Sequence, residues 1–183
     1  MGFTKSEVDP NLYYIVIGEE PLIPVLYVDD LVITGAERLI KHCKRDLAAE
    51  FEMKDIDLMH YFLGLEVWQE GHFFLGQGKY ILDILSRFHM EDCRPMSTPM
   101  ITNWKKLHAS DSELVEPTLY RQLIGSLMYL VNTRPDICFA VNTMIQFMCE
   151  PRRVHWVAAK HILRYLRGTV EYGLDYRQGD AVR

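Results

Sequence analysis

Long apolar runs, paired cysteines, internal repeats and an excess of positive charge are all missing from this 183-residue chain. No apolar stretch approaches the roughly 20 residues needed to span a bilayer, and no secretory apolar segment follows Met1. The expectation is an intracellular protein, cytoplasmic or nuclear, neither secreted nor embedded in a membrane. The four cysteines, Cys43, Cys93, Cys138 and Cys149, form no CxxC pair and no zinc spacing. They read as reduced, mostly buried thiols. A formal charge of −5 excludes a generally basic nucleic-acid binder. What is present is a hydrophobic content of 49%, which excludes general disorder. The length suits one domain or two small lobes with a real core.

The most informative stretch is Tyr27-Val28-Asp29-Asp30. Leu22-Ile23-Pro24-Val25-Leu26-Tyr27-Val28 precedes the acids and Leu31-Val32-Ile33-Thr34 follows, closed by Gly35. Two short apolar runs joined by a two-residue polar tip, Asp29-Asp30, are the sequence form of a β-hairpin. Adjacent carboxylates repel unless a cation neutralises them. A hard cation with oxygen ligands, Mg²⁺ above all, suits such a pair. Asp is also favoured in tight turns for its own sake, so the tetrapeptide alone fits a solvated turn equally well.

Periodicity sets out the rest. Residues 11–18 and 22–34 read as three strands around the acids. A helix is predicted over 36–51, where Leu39, Cys43, Leu47 and Phe51 fall four apart. Residues 60–69 and 72–76 read as a second hairpin around Glu70-Gly71, and 79–89 as a helix carrying Ile81, Ile84, Leu85 and Phe88. The stretch 91–117 is looser, with Pro95, Pro99, Pro117 and the polar run Ser110-Asp111-Ser112-Glu113, and is the candidate linker between lobes. Helices are predicted over 118–132, 136–149 and 153–167, Pro135 and Asp136 marking the start of the second. A short strand over 172–176 trails off the end. Met128, Met144 and Met148 read as core.

The last helix carries its own signal. Between Pro151 and Gly168 stand Arg152, Arg153, Lys160, Arg164 and Arg167 with no acid. At about 100° per residue, Arg153, Lys160, Arg164 and Arg167 share one narrow face, beside an apolar face of Trp156, Ala159, Leu163 and Leu166. Such a stripe can follow a phosphate backbone without reading sequence. A solvated charged face is the plain alternative. His155 and His161 read as packing or surface residues.

The flanks of the acidic hairpin resemble the palm hairpin of reverse transcriptases, whose signature is Tyr-x-Asp-Asp between apolar strands. The rest resembles the copia class of retrotransposon polymerases. The pieces before and around the second hairpin are Gly2-Phe3, Ser6-x-x-Asp9-Pro10-x-Leu12-Tyr13, Phe51-x-Met53-Lys54-Asp55 and His60-Tyr61-Phe62-Leu63-Gly64-Leu65-Glu66-Val67. After it come Lys79-Tyr80-Ile81-x-Asp83-Ile84-Leu85, Ser97-Thr98-Pro99 and Tyr120-Arg121-x-Leu123-Ile124-Gly125-Ser126-Leu127. Asn132-Thr133-Arg134-Pro135-Asp136-Ile137 and His155-Trp156-x-Ala158-Ala159-Lys160 complete the set. Each piece is weak alone; together, in order and spacing, they are specific. They also account for Gly2, Phe3 and Ser6, which otherwise mimic a myristoylation pattern.

The resemblance implies an α+β fold: a partial right-hand polymerase palm, built of antiparallel hairpins and a helix, over 1–76. A helical thumb and connection would span 77–171, and 172–183 would lead toward a ribonuclease H domain. The implied activity is RNA-directed DNA polymerisation, the transfer of a deoxynucleotide to a primer 3′-hydroxyl. Asp29 and Asp30 would be catalytic residues and ligands of Mg²⁺ (or Mn²⁺). Tyr27 and Val28 would form the floor beneath the primer terminus and nucleotide, and Phe62, Leu63 and Gly64 the primer grip. The implied partners are an RNA or DNA template-primer and deoxynucleotides.

Read for its residues alone, Gly64 is a kink inside an ordinary strand. The resemblance places a further metal-binding Asp and the fingers upstream, and none of Glu7, Asp9, Glu19 or Glu20 lies in that motif. The expectation is the back part of a polymerase, inactive alone, with uncovered apolar strands prone to self-association. A non-catalytic relic, or a weak nucleic-acid-binding module, is the competing expectation. Two departures stand out. Asp57 replaces a turn glycine, which strains the backbone if φ is positive there, and Gly76 stands where the family carries Ser.

Overall fold

The computed structural model describes residues 2–69, 71–100 and 112–177. Two compact units divide it, Met1–Met59 and His60–Arg183.

In the first unit, β1 (Thr4–Lys5), β2 (Tyr13–Ile17), β3 (Glu20–Tyr27) and β4 (Asp30–Gly35) form an antiparallel sheet in chain order, followed by helix α1 (Glu37–Glu50). Alternation along β3 buries Leu22 and Pro24 on one face. With Leu39 and Cys43 of α1, Leu22 forms the small core, against which Phe3, Ile15, Ile33 and Leu47 pack. Register places Ile33 opposite Pro24, and a slip of one residue would turn this whole set to the other face. Pro24 also explains a break in the sheet. The β2–β3 ladder runs over Ile15–Ile17 and returns only as the isolated bridge Leu12–Val25. Pro24, with no N–H to donate, stands between.

The second unit pairs a second antiparallel sheet with a helical bundle. Strands β5 (Tyr61–Phe62), β6 (Leu65–Gln69), β7 (Phe73–Gly76) and β8 (Gly173–Tyr176) lie in that order. Helices α2 (Gly78–Arg87), α3 (Pro117–Leu130), α4 (Cys138–Ile145) and α5 (Arg153–Arg167) carry the core, with a 3₁₀ turn over Pro135–Ile137. Ile81 and Ile84 of α2, Leu123, Ile124 and Leu127 of α3, Val141 and Met144 of α4, and Ile162 and Leu163 of α5 have no exposed surface. Each such side chain contributes about 1.5–3 kcal/mol. Pro117 opens α3 at a position where its missing N–H costs nothing. The Glu116 carboxylate caps the same end, accepting from the Thr118 and Leu119 amides at 2.9 and 2.5 Å.

Several expectations need correcting. The second hairpin belongs with the helices because β8 does not trail away: it pairs with β7, Gly173 against Gly76 and Tyr176 against Phe73. The described parts of the looser stretch, 91–100 and 112–116, are strapped to the second unit instead of linking lobes. Met96 N–H donates to the Arg164 carbonyl at 3.2 Å, and Val115 N–H to that of Pro151 at 2.9 Å. Ser110 and Asp111 of its polar run lie outside the described residues. Helix α4 ends at Ile145, short of 149, and Phe147 instead stacks on His155 with ring centres 3.8 Å apart. Met128 is 46% exposed, although Met144 is core. Of the cysteines, only Cys43 is buried; Cys149 is exposed.

Candidate functional site

The first candidate site is the β3–β4 turn. Tyr27 pairs with Asp30, so the two-residue connection is Val28-Asp29 and not Asp29-Asp30. The polar tip therefore sits one residue earlier than the sequence reading placed it, because core register outranks tip polarity. Both carboxylates are exposed, Asp29 in the turn and Asp30 as the first residue of β4. Val28 holds φ at +52° with its side chain 79% exposed. A β-branched residue in the left-handed region is strained, and two-residue hairpins usually place Gly or Asn where φ must be positive. Tyr27 is 46% exposed beside them.

Two carboxylates suit a hard cation, since Mg²⁺ is commonly bound by one or two carboxylates, completed by water and substrate phosphate. Among the described residues no group of three or more His, Cys, Asp or Glu side chains converges anywhere. The donor chemistry fits a divalent ion and the donor number is that of a partial site.

The second candidate site is the β5–β6 turn. Phe62 pairs with Leu65 and Tyr61 with Glu66, leaving Leu63-Gly64 as the connection. Both have positive φ, +49° and +81°, as a type I′ hairpin turn requires. Gly64 is therefore a turn residue and not a kink inside a strand. The Tyr129 hydroxyl of α3 donates to the Leu63 carbonyl. Burial, and then the neighbouring Tyr61 and Tyr80, push the Tyr129 hydroxyl above the ordinary tyrosine range. Lys79 lies 5.6 Å from the Tyr61 ring centre, and its backbone amide donates to Glu66 at 3.0 Å. Phe62 is half-buried, while Leu63 presents its side chain outward at 44% exposure. Asp57 adopts φ +59°, so φ is positive where Asp replaces the turn glycine, in a region that Asp tolerates better than most residues.

The α5 cations are placed differently from the expected open stripe. Arg164 Nε donates to the Arg94 carbonyl at 2.8 Å and Arg167 Nε to that of Glu91 at 2.7 Å. Arg153 lies 3.9 Å from Glu113, and Lys160 sits 5.4 Å from the Trp156 ring centre. Half of the stripe thus anchors the strap over 91–96. The apolar neighbours Ala159, Leu163 and Leu166 are buried as expected. His155 closes the start of α5, its Nδ1 accepting from the Arg152 amide at 2.9 Å.

Two groups escaped the sequence reading. Tyr129 left no local signal, standing 66 residues from the turn it touches. Arg134 is 1% exposed, and its Nε and Nη2 reach Asp136 at 3.0 and 2.7 Å. The remaining nitrogen Nη1 donates to the Thr169 carbonyl at 2.8 Å, and Nη2 also meets Thr169 Oγ1 at 2.7 Å. A charged Arg-Pro-Asp triplet between two apolar helices was the available signal, because a charge there must be paired to be buried.

A family model for reverse transcriptases (RNA-dependent DNA polymerases) matches residues 1–102. The whole chain is 40% identical to part of the Pol polyprotein of transposon RE2 of Arabidopsis thaliana, of which it covers 13%. It is 38% identical to that of transposon TNT 1-94 of Nicotiana tabacum, with 98% of the chain and 14% of the polyprotein aligned. A putative transposon Ty5-1 protein of Saccharomyces cerevisiae is 30% identical, with 98% of the chain and 59% of that protein aligned. The chain therefore spans only about one-seventh of the length of the plant polyproteins it matches. No solved structure matches the chain. The motifs, the two turns and these likenesses agree: the chain belongs to the reverse transcriptase family of copia-type retrotransposon Pol polyproteins.

Proposed function

We propose that this chain supplies the acidic palm hairpin and the primer grip of an RNA-directed DNA polymerase, and that it is inactive by itself. The observation that carries the reading is the closed β3–β4 hairpin, which holds Asp29 and Asp30 side by side and exposed at one end of the sheet. Asp29 and Asp30 would hold Mg²⁺ or Mn²⁺. Bound there, the ion supplies Lewis-acid stabilisation of charge on the transferring phosphoryl group. Tyr27 and Val28 would form the floor under the primer terminus, and the Phe62-Leu63-Gly64 turn would hold the primer's 3′ end. Arg153 and Lys160 would follow the phosphate backbone, together with those guanidinium N–H groups of Arg164 and Arg167 that do not hold the strap.

Nucleotidyl transfer rests on positioning and electrostatics, so it needs a complete ligand set around the metals. Two carboxylates alone do not provide one, which supports a requirement for further residues from a longer polypeptide.

The experiment is primer extension with Mg²⁺ or Mn²⁺, using this chain alone and the chain joined to an upstream polymerase segment carrying a further acidic residue. The chain alone should extend nothing. The joined form should extend, and Asp29→Asn should lower its rate by roughly a hundredfold or more, as loss of one preorganised electrostatic group does. Extension by the chain alone, abolished by Asp29→Asn, would overturn the requirement for a partner segment. Extension by the joined form that ignores Asp29→Asn would overturn the metal-binding role.

A further inference from the structure

The Leu63-Gly64 turn closes a short strand pairing of its own. Strand β5 is two residues long and lies at the edge of its four-stranded sheet, so only the pairs Tyr61–Glu66 and Phe62–Leu65 hold the turn from below. Leu63 adds a cost. A type I′ turn favours Asn or Asp at the first central position, whose side chains tolerate positive φ, and a leucine at +49° costs on the order of 1 kcal/mol. A contact from outside the hairpin would offset that cost.

That contact comes from α3. The Tyr129 hydroxyl reaches over the turn and donates to the Leu63 carbonyl. The phenol is itself braced: the Tyr80 ring of α2 meets it edge-on, 4.9 Å between centres at 83°, and the Tyr80 hydroxyl lies 3.5 Å from the Ser126 carbonyl. The clamp also explains Gly64 beyond its φ. A Cβ there would fall on the Tyr129 hydroxyl, with Cζ only 3.3 Å away. Because the Leu63 carbonyl is engaged inward, the turn offers a ligand its exposed Leu63 side chain.

We propose that Tyr129 is the positioning residue of this turn, so that α3 sets where a primer's 3′ terminus is held. The role at the terminus rests on reading the turn as a primer grip; the clamp itself does not.

The test compares the chain with Tyr129→Phe, which keeps the ring against Tyr80 and removes only the hydroxyl. Two quantities are read: amide hydrogen exchange over residues 62–66, and affinity for a fluorescent primer–template with a recessed 3′ end against a blunt duplex of the same sequence. Loss of one hydrogen bond should speed exchange over 62–66 by about tenfold, with amides of Ile124–Leu130 unchanged. Preference for the recessed end should fall by about tenfold while affinity for the blunt duplex holds, a split that general destabilisation does not produce. Gly64→Ala, which attacks the same contact from the hairpin side, should lose the same preference. Unchanged exchange in Tyr129→Phe would overturn the clamp. Faster exchange in a protein whose wild type shows no preference for recessed ends would uphold the clamp and overturn the role at the primer terminus.

Discussion

Tyr165 donates its hydroxyl to Oδ2 of Asp136 at 2.7 Å, the same carboxylate oxygen that Nη2 of Arg134 reaches at 2.7 Å. Arg134 lies between the rings of Tyr165 and Tyr172, 5.6 and 5.4 Å from their centres. One buried guanidinium thereby ties the start of α4 to the end of α5 and to the segment that enters β8.

Removing the acid should leave that guanidinium buried without a counter-charge. Asp136→Asn is expected to destabilise the second unit by about 2–4 kcal/mol, less than a fully buried pair because a third of the Asp136 side chain meets solvent. Urea denaturation measures it, and a loss under half a kilocalorie would show that the pair contributes little.

The same pair predicts an acid response. Burial pushes the Asp136 carboxyl up, but hydrogen bonds from Arg134 and Tyr165 and the Arg134 charge outweigh it and hold the group below its ordinary value of 3.8. A depressed carboxylate stabilises the fold above the unfolded pKa and loses that contribution as pH falls through the folded one. The melting temperature of the wild type should therefore drop more steeply below about pH 4 than that of Asp136→Asn. Parallel melting curves across that range would contradict the assignment.

Strain at the acidic turn is open to a direct measurement. Val28→Gly removes an exposed side chain and relieves φ at +52°, so it should raise stability by about 0.5–1 kcal/mol. A lowered midpoint would mean that the valine side chain supports the turn.

The first unit exposes Tyr14, Val16, Leu26 and Val28. Apolar surface of this kind drives association. Sedimentation should show concentration-dependent self-association, weakened by Val16→Lys or Leu26→Lys. A monodisperse monomer that binds no hydrophobic dye would refute it.

On α5 the expected consequences now separate. Four phosphate contacts would give a log–log salt slope for duplex binding near −3 to −4, and Arg153→Glu with Lys160→Glu should flatten it by about two units. Arg164→Glu should instead lower stability, because Arg164 holds the Arg94 carbonyl. Equal binding by wild type and the Arg153–Lys160 variant across a salt titration would leave the stripe a solvated face.

Local pattern carried the reading a long way. The spacing of Leu39 and Cys43, of Ile81 with Ile84 and Leu85, and of Ala159 with Leu163 and Leu166 places three helices within a residue or two, because each set buries one face. Turns were less legible. The tip at Val28-Asp29 is chosen by the pairing of Pro24 with Ile33, several residues away. Leucine in a positive-φ position contradicts local preference, so Leu63-Gly64 was hidden within a longer predicted strand. Long-range partners were invisible: nothing near Tyr129 points to Leu63, nothing near Glu91 to Arg167, and no pattern in Gly173–Tyr176 names Phe73–Gly76. The acids themselves were plain, since Asp29 and Asp30 need no tertiary context to be seen.

The pairing of β8 with β7 sets the order in which the molecule can be completed. Every strand of the first sheet neighbours one close by in the chain, so that sheet can form while later residues are still being synthesised. The second sheet lacks its last strand until Gly173–Tyr176 emerges, after all the helices between have been made. Until then β7 presents an open edge, and closing it requires a loop that spans α2 to α5, a slow step by topology alone. Until that pairing forms, the nascent chain carries an unpaired edge at Phe73–Gly76 that is open to mispairing.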